Sequence, residues 1–286
     1  MRPCPLIKDK RTFCQINNII NSKGFGVEKL SNKSTKSPVV TDYGYIVSND
    51  GVMEGKVNLQ KITVIPETSR TINLDNSMTT LEIQTEIDAI GKFIPKGVNI
   101  TIQFANGTYN LDASILVTGF YGAGTLNVYG DSSQTGLRTD QSVHLNFSGE
   151  AINGILITGN ILGVTRFSHC KVTVDDGYQC VMLVQNTMLY TFSNYLITTG
   201  KTSGSSIGYY IIANGSTQVF DNYLSGMFYG IISTHCSFIY STNNDDTGTQ
   251  PNYGMVASIG GVIGKAGTQP SGSTANENVQ TGGAIR

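Results

Sequence analysis

A chain of 286 residues, 39% of them hydrophobic, is long enough to bury a sizeable core in one elongated domain or two compact ones. Only 14% of its residues are charged, against roughly 25% in ordinary globular domains, while glycine occurs 33 times. This balance excludes a surface of Lys/Glu-coated helices and favours stacked Asn/Ser/Thr ladders joined by glycine turns.

The net charge of −1 is unevenly spread: residues 1–36 carry eight Lys/Arg against Asp9 and Glu28, so +6 stands before −7. We read 1–36 as a solvated basic arm and expect no nucleic-acid partner. Five cysteines (Cys4, Cys14, Cys170, Cys180 and Cys236) without CxxC spacing argue against a disulfide framework and for folding in a reducing compartment. The N-terminus lacks the apolar core of a signal peptide, and no run reaches membrane-spanning length, so membrane insertion is not expected.

Residues 37–75 hold short apolar pieces, Tyr45-Ile46-Val47 and Ile62-Thr63-Val64-Ile65, separated by the turn Asn49-Asp50-Gly51. They predict a small β-rich region. A helix follows: Ile83, Ile87, Ile90 and Ile94 form one stripe, Thr79 and Glu82 have capping-box spacing, Met78 and Ile83 form a hydrophobic staple, and Pro95 ends it. Val98, Ile100, Ile102 and Phe104 then alternate with polar residues up to the turn Asn106-Gly107, as in a half-buried strand. With no second helix in sight, this one reads as a cap on the open end of a β structure.

Beyond it run short alternating segments separated by Gly/Asn/Ser/Asp turns, and a weak repeat emerges. Asn186 to Leu196 superposes on Asn214 to Leu224 with an offset of 28, each unit closing on Phe-x-Asn-Tyr-Leu. Phe167-Ser168-His169 and Tyr240-Ser241-Thr242 mark weaker copies, which puts Asp221 level with Ser193 and Ser168. Repeats this short and without helices predict one coil each, because a coil cannot bury its inner face unless neighbours stack on it. The expectation is about seven rungs over 97–265 of an all-β parallel β-helix solenoid spanning 76–265 with its capping helix, then a polar tail over 266–286.

The helix EIQTEIDAIGKFIP, the rung ITIQFANGTYNL, the segment GFYGAGTLNVYGDSS and the ending IGKAGTQPSGSTANENVQTGGAIR together resemble right-handed parallel β-helix proteins of phage and prophage tails, within the pectate-lyase-like group. The resemblance covers roughly residues 76–286. It implies a homotrimeric virion tail component, a tail fibre or tailspike, attached to other tail or baseplate proteins through its N-terminal region and meeting host surface polysaccharide. It also implies, as the alternative, a polysaccharide lyase or hydrolase on the same scaffold.

A hydrolase needs two carboxylates across the scissile bond, and a lyase needs a base near carboxylate-held calcium. The candidates are Asp175, Asp176 and Asp221, with turn formation the competing explanation for the first two. His169-Cys170 and His235-Cys236 lack the spacing of a zinc site, and neither metal nor cofactor is expected. Tyrosine is the remaining signal: 14 copies with no tryptophan. Tyr209, Tyr210, Tyr223 and Tyr229 are the glycan-binding candidates, since a tyrosine ring packs on a sugar face while its hydroxyl hydrogen-bonds. Tyr209 and Tyr210, adjacent on a strand, must point to opposite faces, which leaves one of them exposed.

Overall fold

A computed structural model of the chain describes residues 67–286 apart from 138, 150–152, 160, 161, 185–187 and 247, together with the backbone of three short strands upstream. Met1–Val64 and Ile65–Arg286 form two units. In the first, Val27–Glu28, Met53–Val57 and Gly44–Val47 form a small antiparallel sheet in that order. The rest of the expected basic arm, and the apolar run at 62–65, lie outside the described residues.

The second unit is a parallel β-solenoid of about eight turns. Three parallel sheets make its faces: a first of nine strands from Arg70–Leu74 to Ala284–Ile285, a second of six from Gly107–Leu111 to Asp245–Asp246, and a third of seven from Ile115–Thr118 to Ala275–Val279. A representative turn is Met188–Phe192 on the first sheet, Tyr195–Thr198 on the second and Ile207–Ile212 on the third. Alternation does what the sequence pattern predicts: along Asn99–Phe104, Ile100, Ile102 and Phe104 are interior and the residues between them are not. At roughly 4.8 Å per strand the nine-stranded face is about 38 Å tall.

It exceeds seven rungs because both ends extend the ladder. Arg70–Leu74 pairs with Asn99–Phe104, and the polar tail, expected to have no core of its own, supplies Ala275–Val279 and Ala284–Ile285 as further strands in cis. A tail strand needs no core when the turn beneath it offers its backbone groups and a finished inner surface.

The helix α1 (Thr80–Asp88) is the one α-helix among the described residues. Its capping box forms as expected, with Glu82 N donating to Thr79 Oγ1 and Thr79 N to Glu82 Oε2. It ends at Asp88, earlier than the stripe suggests, and Phe93–Ile94 is a short strand. Ile83, Ile87, Ile90 and Ile94 still share one buried cluster. The Gln84 carboxamide acts as a strand would, accepting from Leu116 N at 2.9 Å and donating to Leu116 O at 3.0 Å along the first strand of the third sheet. Thr80 does the same for Asp112 N.

The corner between the first and second sheets carries the repeat. His169, Ser193, Asp221 and Asn243 all have positive φ, from 51° to 61°, a conformation costly for non-glycine residues. The next residue in the last three turns is a fully buried asparagine: Asn194, Asn222, Asn244. Each asparagine Oδ1 accepts the backbone N–H of the preceding turn, Cys170 to Asn194, Asn194 to Asn222 and Asn222 to Asn244, at 3.0–3.1 Å. Carboxamide-to-carboxamide bonds run beside them, 3.1 Å from Asn194 to Asn222 and 2.9 Å from Asn222 to Asn244. Phe192 and Phe220 pair in register and stack at 4.9 Å between ring centroids.

The weaker copies are displaced from their expected positions. Ser168, not Phe167, pairs with Phe192, and Thr242, not Tyr240, pairs with Phe220. Asp221 therefore stands level with Ser193 and His169, not Ser168. One earlier turn opens this corner into a longer loop, 130–142, which folds onto the stack through Gly136 N to Ser193 Oγ and Gln141 Nε2 to Ser193 O.

Removing the middle rung of the asparagine ladder is a direct test of what holds the corner. Asn222→Ala strands the Asn194 N–H inside the protein and takes one of their buried partners from the Tyr209 hydroxyl and the Asn244 carboxamide oxygen, so urea denaturation is expected to register a loss of about 3 kcal/mol. A loss under about 1 kcal/mol, the scale of a single exposed hydrogen bond, contradicts this role.

Candidate functional site

Outward positions on the third sheet form two columns up the stack. One runs Gln179, Ile207, Tyr229, Tyr253 and the other Met182, Tyr210, Ile232, Val256, each residue paired with the next across the ladder. Ile207, Ile232 and Val256 are buried although they face away from the core, and they pack with half-buried Tyr210, Tyr229 and Tyr253 in a separate small cluster. Tyr229 and Tyr253 lie 5.4 Å apart, and Phe228 meets both rings at 4.7 and 5.7 Å. Above this floor lies a cleft of about 290 Å³.

One wall is the loop 199–206, and Asp176 builds it. The Asp176 carboxylate accepts the side-chain hydroxyls of Thr202 and Ser206 and the backbone N–H groups of Thr202 and Ser203, both at 3.3 Å. These donors, Ser206 first and Thr202 next, hold its carboxyl below the usual carboxylate range. Gln179 Nε2 donates to Ser205 O at 2.9 Å, and Ser206 O accepts Tyr229 N at 3.1 Å, so the loop is also tied to the floor.

The opposite wall is the corner where the third sheet returns to the first. His235 and Ile259 stand there with φ of 52° and 47°. Ser258 Oγ donates to Thr234 Oγ1 at 3.0 Å, and Thr234 Oγ1 lies 3.1 Å from His235 Nδ1. Gln280 completes the rim. The cleft lining contains no aspartate, glutamate, lysine or arginine.

The seven sequence candidates separate. Tyr210 and Tyr229 line the cleft. Tyr209 does not: it is fully buried, and its hydroxyl crosses the interior to Thr191 at 2.8 Å and Asn222 at 2.9 Å, serving the asparagine ladder rather than a ligand. Its parity follows from pairing with Val181 and Ile231, both interior. Tyr210 is the accessible member of that pair, as the alternation requires. Tyr223 lies on the second sheet, edge-on to Tyr195 at 6.5 Å.

Asp175 and Asp176 sit where the second sheet turns to the third, whereas Asp221 sits where the first turns to the second, so the acids do not face each other across one groove. Asp175 accepts Gly149 N and Thr199 Oγ1. His169 is 4% exposed between the Tyr129 and Phe192 rings, Cys170 is wholly interior, and no group of three or more metal-ligating side chains occurs among the described residues. His235, Thr234, Ser258, Gln179, Ser205 and Gln280 were not foreseen as one site, because only the winding brings these distant turns together.

The fold and cleft define a parallel β-solenoid with an aromatic-floored, uncharged groove on one face. Scans against protein families, curated proteins and solved structures give no match.

Because Asp176 is stabilised as a carboxylate, its hold on the loop is complete above the ordinary carboxylate pKa and is lost as pH falls through the lowered value. Tyrosine fluorescence of the wild type should therefore report loop release only below about pH 4. At neutral pH, Asp176→Ala is expected to speed tryptic cleavage after Lys201 by roughly tenfold, while Asp175→Ala leaves it near the wild-type rate. Equal rates in all three would show that the loop is held by other contacts.

Proposed function

We propose that this chain is a tail fibre or tailspike component of a phage or prophage particle, which grips host surface polysaccharide in the third-sheet cleft without cutting it. The observation that carries the binding half of this reading is the pairing of Tyr210 and Tyr229 with a ring of neutral donors and acceptors, with no carboxylate among the lining residues. Sugars present alternating C–H faces and hydroxyl edges, which such a surface matches on both counts. A glycosidase or lyase needs charged catalytic groups at the bond it breaks, but Asp175 and Asp176 are engaged in turn and loop hydrogen bonds at one corner and Asp221 stands at another.

The particle half of the reading rests on the sequence resemblance. It carries with it a right-handed coil, the hand that parallel crossovers almost always take, and a homotrimer. The outer face of the first sheet is where the trimer would form: Met188, Phe238 and Tyr240 lie along it 46%, 45% and 42% exposed. In this arrangement α1 closes the N-terminal end of the stack, the first unit attaches to other tail or baseplate proteins, and the cleft faces the host.

Incubation of the purified protein with host polysaccharide tests the choice between gripping and cutting. The expected outcome is retention of the polymer with no new reducing ends or unsaturated sugars, and a fall of roughly tenfold in affinity for Tyr210→Ala and for Tyr229→Ala, the scale of a lost aromatic contact. Release of either product makes the protein a depolymerase instead.

A further inference from the structure

Resting on the glycan-binding reading, we infer that the cleft selects uncharged sugars and rejects anionic ones such as uronates, sialic acids and phosphorylated glycans. Its polar equipment consists of the Tyr210 and Tyr229 hydroxyls, the Ser205, Thr234 and Ser258 side chains, two glutamine amides and the His235 imidazole. Burial pushes both tyrosine hydroxyls above their ordinary pKa, so they stay protonated donors at neutral pH. Lysine and arginine are both missing from the lining, so a ligand carboxylate or phosphate entering the cleft would shed water without meeting a cation.

The floor reinforces this choice. Ile207, Ile232 and Val256 are 5%, 6% and 3% exposed, so the ring that settles between the tyrosines rests on methyl and methylene groups. That environment lowers the local dielectric and raises the cost of an unpaired charge. It suits the C–H face of a pyranose or an acetamido methyl. At about 290 Å³ the cleft lies at the small end of ligand sites, which fits one or two sugar rings of a longer chain.

The inference predicts both selectivity and salt behaviour. Binding of the full chain is measured by calorimetry against chitotetraose and maltotetraose as neutral probes and tetragalacturonate as the anionic one, backed by an array of neutral and anionic bacterial glycans. Neutral members are expected to bind at least roughly tenfold more tightly than anionic ones, with affinity changing less than about twofold between about 50 and 500 mM salt, since no ion pair is there to be screened. Gln280→Lys, a rim change on an exposed side chain, should raise binding of anionic glycans at low salt. Anionic glycans that bind as tightly as neutral ones, and lose that binding in Tyr210→Ala, overturn the inference while leaving the glycan-binding reading standing. Failure of every glycan on the array to bind overturns both.

Discussion

A coil of two dozen residues cannot satisfy its own backbone, and this constraint governs the molecule. Every N–H and C=O on the three faces must find its partner in the turn before or after it, so position within a turn is dictated by the neighbouring turn rather than by local preference. The asparagine ladder is the sharpest expression of that rule. Its carboxamides accept the amide of the preceding turn and donate to the next, and they do so beside residues held in left-handed conformations that no isolated segment would choose. Because Tyr209 reaches from the third sheet to the same ladder, the corner and the opposite face are locked to one register. The cleft depends on that lock, since its lining is drawn from several successive turns.

At the ends of the stack the same rule must be met by other means. Leu116, on the first strand of the third sheet, and Asp112, in the connection before it, find their hydrogen-bonding partners in Gln84 and Thr80 of α1. At the other end the polar C-terminal segment completes two more strands with almost no apolar content of its own. A segment that would be unstructured alone is ordered here because the surface it docks on is already built.

The solenoid was legible in the sequence where two turns used the same letters. Phe192 and Phe220 each precede a similar Asn-Tyr-Leu by two residues, and they stack as that repeat implies. Legibility failed where a turn substituted at the diagnostic place. His169 and Ser168 stand where later turns have Ser193 and Phe192, and the eye then aligns the nearest phenylalanine, one residue out. An error of one flips inside to outside, which is why register matters more here than element type. The tyrosine pair shows the same limit. Alternation says that Tyr209 and Tyr210 diverge, but only pairing with Val181 and Ile231 decides which goes inward. The polar rim of the cleft was hidden for a different reason: His235, Ser258 and Gln280 belong to different turns and share no motif.

The two long corner segments, 130–142 and 199–206, interrupt the coil while the pairing above and below them continues without a slip. Length variation at such places has little to disturb, because each loop begins and ends at residues pinned by the adjoining rungs. A lineage carrying this scaffold is thus free to exchange its fringe, generation after generation, while inheriting the spindle intact.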